Sequence, residues 1–175
     1  MIIKETTLLE INAMYKDYHN YLIAPMDDMY EDAIIPACHF YIIEKNSKVI
    51  GYFTLNNEKN IMQFYIEKDF ICNKKDIFNF VIENKKIKQA LCCSYDPILY
   101  ELCKEISKTS VVSDYLYCES DYKELSPSIS NIKYCVASSS DFDIALEYYN
   151  EILITGDWLK PYLQQRIQLS ELVFF

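Results

Sequence analysis

Glycine is almost absent from this chain of 175 residues, which carries only Gly51 and Gly156. Phosphate-cradling loops need several glycines close together, so glycine-rich nucleotide motifs are excluded. Arginine is confined to Arg166, and 17 basic side chains face 26 acidic ones, for a net charge of -9. That balance speaks against a broad electrostatic grip on nucleic acid or on an anionic membrane. Histidine is limited to His19 and His39. His39 adjoins Cys38, and neighbours on a strand point to opposite faces, so one run does not supply a nucleophile and its base. Seven cysteines (Cys38, Cys72, Cys92, Cys93, Cys103, Cys118, Cys135) are odd in number and contain no C-x-x-C pair. They fit neither a disulfide framework nor a zinc site, and no metal is expected. No apolar run reaches membrane length, and Met1 to Thr7 places charge where a secretory leader needs its apolar stretch. A reducing cytoplasm is the expected address.

What the chain does have is apolar mass: 51% hydrophobic residues, with 16 Tyr and 9 Phe. A sequence so rich in apolar and aromatic side chains folds. Met1 to Thr6 reads as a strand. Leu8, Ile11, Tyr15, Tyr18 and Leu22 then recur at steps of three and four, one buried face of a helix closed by Pro25. Asp27 to Ile35 reads as a second, shorter helix. Cys38 to Glu44, Val49 to Leu55 and Ile61 to Glu67 form a three-stranded meander, turned at Lys45 to Lys48 and at Asn56 to Asn60. A capped helix is expected from Asn73, with Ile77, Phe78, Val81 and Ile82 as its stripe. Ile87 to Ser94 reads as a strand parallel to the meander's last, Asp96-Pro97 opens a helix facing inward with Ile98, Leu99, Leu102, Cys103 and Ile106, and Val111 to Cys118 reads as a final strand.

Residues 122–130 include Ser126-Pro127-Ser128 and read as a linker. After it the order strand, helix, helix, strand returns: Ile132 to Ala137, a helix capped by Ser138 to Asp141, a helix within Trp158 to Leu169, and a strand-like tail, Glu171 to Phe175. The same order occupies Ile2 to Ile43. The expected division is a whole domain over 1–121 and a partial second unit over 131–175. An apolar strand such as Leu172 to Phe175 seeks a partner in a sheet of the same chain or of a second copy, the latter giving a homodimer.

The order of elements over Met1 to Asp121 resembles the GNAT acetyltransferase superfamily. Phe40 to Phe53 is similar to that family's second and third strands, with Gly51 at its common glycine, and Asp96 to Cys103 is similar to the helix after its fifth strand, with Asp96 in place of the usual Asn. The resemblance implies an α/β (α+β) fold with a mixed, mostly antiparallel sheet flanked by helices, the second unit being the opening of another such copy. It implies acyl transfer from acetyl-CoA to a small-molecule or peptide amine.

The same resemblance places the pantetheine arm of acetyl-CoA along the fourth strand, here Phe64, Tyr65 and Ile66. It places the pyrophosphate at a Q/R-x-x-G-x-G/A turn, here Asp69 to Asp76, which contains no glycine. Side chains stand where phosphates would lie, and only Asn73, Lys74 and Lys75 offer donors or charge at the helix start. The family's thiolate-protonating tyrosine falls on Cys103, with Tyr100 nearly one turn earlier, and Glu67 is the carboxylate placed to act as base. Two outcomes stay open: an N-acetyltransferase whose cofactor turn is degenerate, and a catalytically silent module that keeps the fold to bind a ligand or partner. A second copy's own turn would fall beyond Phe175.

Overall fold

The computed structural model describes residues 1–112, 135–152, 158–170 and 172–174. The chain divides into two compact units, Met1–Lys108 and Thr109–Phe175.

The first unit is built on one antiparallel sheet in the order β1 (Ile2–Thr6), β2 (His39–Lys45), β3 (Lys48–Leu55), β4 (Ile61–Ile66). β1 to β2 is crossed by α1 (Asn12–Tyr21) and a π-helical turn, Tyr30–Ile34, where a short α-helix was expected. α1 is entered through a tight turn in which the Glu10 carboxylate accepts hydrogen bonds from the Thr6 hydroxyl at 2.9 Å and the Thr7 amide at 3.0 Å. The β2–β3 hairpin closes through Asn46 and Ser47, at φ 52° and 64°, so both central residues are left-handed, as a two-residue turn matching the strand twist requires.

Strand alternation divides the side chains between two layers. On one face Ile43, Phe53, Phe64 and Ile66 pack with Ile77, Phe78 and Val81 of α2 (Lys74–Lys85) and with Ile98, Leu99 and Leu102 of α3 (Pro97–Ile106). On the other, Phe40, Tyr52 and Met62 meet Ile11 and Tyr18 from the α1 segment, with Met26 and Ile35. β3 is buried on both faces because helices cover both. α2 starts from a 3-10 turn, Lys68–Asn73, and the expected Asn73 side-chain cap is not formed. α3 does begin as its Asp-Pro pair indicates: the Asp96 carboxylate accepts from the Leu99 amide at 3.0 Å, with proline in the first turn.

Where a full parallel strand was expected over Ile87 to Ser94, one parallel bridge joins Ile61 and Ala90. The sheet is therefore antiparallel throughout its named strands. The expected strand from Val111 to Cys118 and the linker lie outside the described residues except for Val111 and Val112, which are irregular and exposed.

In the second unit β5 (Cys135–Val136) pairs antiparallel with β6 (Val173–Phe174), and α4 (Phe142–Ile152) and α5 (Leu159–Gln168) lie between them in sequence. The expected cap is present: the Asp141 carboxylate accepts from the Ser138 amide at 2.8 Å and hydroxyl at 2.7 Å. Ala145, Leu159 and Leu163 form the core. The apolar tail thus finds a strand within its own unit. Among the described residues, no helix is long and apolar enough to cross a membrane.

Ser47 carries a side chain in a backbone region that favours glycine. Ser47→Gly should raise stability by about 0.5–1 kcal/mol, read as a higher urea midpoint with an unchanged slope; a lower midpoint would show that the Ser47 side chain compensates its own strain.

Candidate functional site

Among the described residues, the outer edge of β4, like that of β1 at the other side of the sheet, leaves backbone unpaired. The Glu67 amide donates to the Ile50 carbonyl at 2.9 Å. This sets the phase of the strand: Gln63 and Tyr65 turn their backbone groups toward β3, and Phe64 and Ile66 turn theirs to the opposite edge. At the start of that edge Ile61 is satisfied, its amide donating to Gln89 at 3.1 Å and its carbonyl accepting from Leu91 at 2.8 Å. Further along, Phe64 and Ile66 have no backbone partner among the described residues.

The following segment leaves β4 because it is tied to the α1 layer. The Ile23 amide donates to the Tyr95 carbonyl at 3.0 Å, and the Tyr18 hydroxyl donates to Asp96 at 2.8 Å. Asp96 is 2% exposed, so this is a buried hydrogen bond between α1 and the start of α3. Burial raises its carboxyl, opposed by the bonds from Leu99 and Tyr18. Burial likewise raises the Tyr18 hydroxyl well above its ordinary value, with Asp96 adding to the effect, which keeps it a donor.

Gly51 shapes the other side of the same edge. A Cβ at this position would stand 2.2 Å from the Tyr65 carbonyl oxygen and 2.9 Å from Ile66 Cδ1. Only glycine lets β3 approach the end of β4 so closely.

The family model for the acetyltransferase (GNAT) domain matches residues 7–120. The chain belongs to the GNAT acetyltransferase family. Among solved structures it is similar to an acetyltransferase of the GNAT family from Colwellia psychrerythraea, at a TM-score of 0.74 and 18% identity, over 100% of this chain and 67% of that one. It is also similar to a ribosomal-protein-alanine N-acetyltransferase from Brucella melitensis biovar Abortus 2308, at a TM-score of 0.43 and 15% identity, over 69% of this chain and 98% of that one. No curated protein matches.

GNAT enzymes as a family use acetyl-CoA, and the residues singled out from sequence divide into three groups against that cofactor. Phe64 and Ile66 are 1% and 2% exposed, so their side chains lie in the helix-covered core and their unpaired backbone groups are screened from solvent. Tyr65 faces the α1 layer, stacked on Tyr52 at 5.6 Å between centroids; burial, then Glu67 and Asp17, push its hydroxyl up to about 12. Glu67, half-buried, follows directly at the strand end.

The cofactor-turn residues are engaged elsewhere. Lys74 pairs with Glu101 at 2.5 Å and Lys75 with Glu105 at 2.9 Å, both carboxylates belonging to α3. Asn73 is exposed, and the Lys74 amide donates to the Ile71 carbonyl, closing the 3-10 turn. No residue from Asp69 to Asp76 has a positive φ. The residues present suit a pantetheine arm along β4 and do not suit the usual glycine cradle for a pyrophosphate.

On α3, Cys103 is half-buried against the core and shares a side-chain hydrogen bond with Cys92, which, with burial, raises its thiol; the same bond lowers Cys92. Tyr100 is 39% exposed on another face of the helix, with Lys104 5.2 Å from its ring centre. The structure thus joins Cys103 to Cys92 and leaves Tyr100 apart. The Tyr18–Asp96 bond was not foreseen. Tyr18 reads as one more apolar-face residue and Asp96 as a helix cap, and neither pattern signals that these two residues, 78 positions apart, meet.

Because the folded protein holds the Asp96 proton to higher pH than the unfolded chain, this carboxyl costs stability as pH rises from its ordinary value of 3.8 through its raised one. Asp96→Asn keeps a capping oxygen and removes that titration. Its stability relative to the unsubstituted protein should therefore rise between pH 4 and pH 7 in urea unfolding; Asp96→Ala should follow the same pH trend but lie about 1 kcal/mol or more below Asp96→Asn, having lost the cap and the acceptor of Tyr18. Parallel pH profiles for Asp96→Asn and the unsubstituted protein would contradict this assignment.

Proposed function

We propose that this GNAT protein is an N-acetyltransferase that transfers an acyl group from acetyl-CoA to a small-molecule or peptide amine, with its first unit holding the cofactor chiefly by the pantetheine arm. The observation that carries this is the unpartnered backbone of Phe64 and Ile66 on an edge kept open by the Tyr18–Asp96 and Ile23–Tyr95 bonds. A strand edge whose backbone groups lack partners binds an extended, amide-bearing ligand through main-chain hydrogen bonds. When bound, acetyl-CoA would supply the acyl group activated as a thioester.

Glu67, at the end of the same strand, would take a proton from the incoming amine. Cys103 would hold a proton for the departing sulfur, although its raised thiol makes it a weak acid for that step. Pyrophosphate contact is reduced in this copy, because Lys74 and Lys75 are already paired and the turn is a glycine-free 3-10 turn.

That same turn favours the second reading, a silent module of GNAT fold. The two differ in whether the cofactor binds and reacts. The second unit supports a partial repeat of the fold: its strand, two helices and antiparallel closing strand follow the order of β1, α1, the π-helical turn and β2.

Titration of the full chain with acetyl-CoA should saturate, with the largest amide shifts at Phe64 and Ile66, and pantetheine alone should bind within about tenfold of the whole cofactor. No response at millimolar acetyl-CoA would leave the silent module. With an amine acceptor, Cys103→Ala should lower kcat by about 10²-fold with KM little changed, and Cys103→Tyr should recover most of the rate; unchanged turnover in Cys103→Ala would remove the thiol from the reaction.

A further inference from the structure

At the far end of the sheet from the open β4 edge, a cleft of about 240 Å³ is lined by His39, Tyr41, Asn56, Asn57, Lys59 and Lys85. It lies between the start of β2, the β3–β4 turn and the last turn of α2. The volume equals about eight water molecules at liquid density, enough for a charged head group and a small organic body.

The β3–β4 turn is firmly built. The Asn56 side-chain oxygen accepts from the Glu58 amide at 3.1 Å and the Asn60 amide at 2.9 Å, and the Lys59 amide donates to the Asn56 carbonyl at 2.9 Å. Lys59 is held left-handed at φ 64°, a conformation unfavourable for a lysine. Asn56 spends its oxygen on the turn, which leaves its NH₂ as the group still able to donate. Glu58 is engaged by the Asn60 side chain at 3.1 Å.

Lys85 enters the cleft from α2, its ammonium 3.6 Å from the centre of the Tyr41 ring. Among the described residues, neither Lys59 nor Lys85 is ion-paired with a carboxylate, so both ammonium groups remain available on one cleft. Burial chiefly lowers the Lys85 ammonium; Glu5 opposes this as the larger of the two charge effects, and Lys59 adds a smaller repulsion of its own. A doubly charged anion between the two would relieve this repulsion, and the amides of Asn56 and Asn57 add neutral donors.

We propose that this cleft binds a phosphate monoester, its phosphoryl group between Lys59 and Lys85 and its organic body toward His39 and Asn57. A phosphoryl head carries close to two charges at one point, which suits two ammonium groups on one cleft better than the separated charges of a dicarboxylate. The site is apart from the β4 edge and does not depend on acetyl transfer.

The test is a titration of the full chain with inorganic phosphate, glycerol 3-phosphate and succinate, followed by amide chemical shifts. The expected result is a saturable shift at Asn57 and Lys59 with glycerol 3-phosphate, weaker with inorganic phosphate and absent with succinate. Lys59→Gln and Lys85→Gln should each weaken it roughly tenfold, and added salt should weaken it further. Both positions are outside the core, and unchanged urea midpoints confirm folding of the variants. Absence of a saturable shift, equal binding of succinate, unchanged affinity in the double variant, or shifts confined to residues 68–76 would each overturn the proposal.

Discussion

The buried hydrogen bond from Tyr18 to Asp96 is the interaction around which the first unit is arranged. It joins α1 to the first residue before α3, and with the Ile23–Tyr95 bond it draws the chain away from β4 after a single bridge at Ala90. Without that diversion the segment would be free to continue pairing along β4 and close its edge. A carboxylate at 2% exposure is costly unless its oxygens are used. Here one oxygen caps α3 and the other receives the tyrosine, so the group that starts a helix also holds the sheet edge open.

The sheet serves two cores because β3 and β4 are covered on both faces. Phe53, Phe64 and Ile66 pack under α2 and α3, while Tyr52 and Met62 pack under α1. Aromatic contacts recur in both layers, with Phe64 edge-on to Phe78 at 4.9 Å and Tyr52 edge-on to Tyr18 at 6.1 Å. Gly51 is the exception that this packing needs. It stands where β3 and β4 come too close for a side chain, at the same end of the strand as Phe64, Tyr65 and Ile66.

Most of the fold was legible from periodicity. Steps of three and four marked α1 and α3, alternation marked the meander, and Asp-Pro marked the start of α3 through a known capping geometry. The Ile87 to Ser94 segment was less so: a run of apolar residues specifies burial but not how many ladder bonds form, and that number is set by where Tyr95 and Asp96 are pulled. The 3-10 turn before α2 was also hidden, since Asn73 has the chemistry of a cap without forming one. In the second unit, the antiparallel pairing of β5 with β6 gives the apolar tail a strand partner within its own unit.

For the site, composition determined that Asp69 to Asp76, where the family resemblance would put a cofactor turn, has no glycine. Tertiary structure alone decided which groups are free to act. Lys74 and Lys75 look like available charge in sequence, yet α3 packs alongside and supplies Glu101 and Glu105. Lys59 and Lys85 look equally ordinary, yet folding lines one cleft with both. The physical reason is the same in each case. Local sequence sets backbone preference and the face a side chain takes, whereas the partner of a charged group or an open strand edge is chosen by residues far away along the chain.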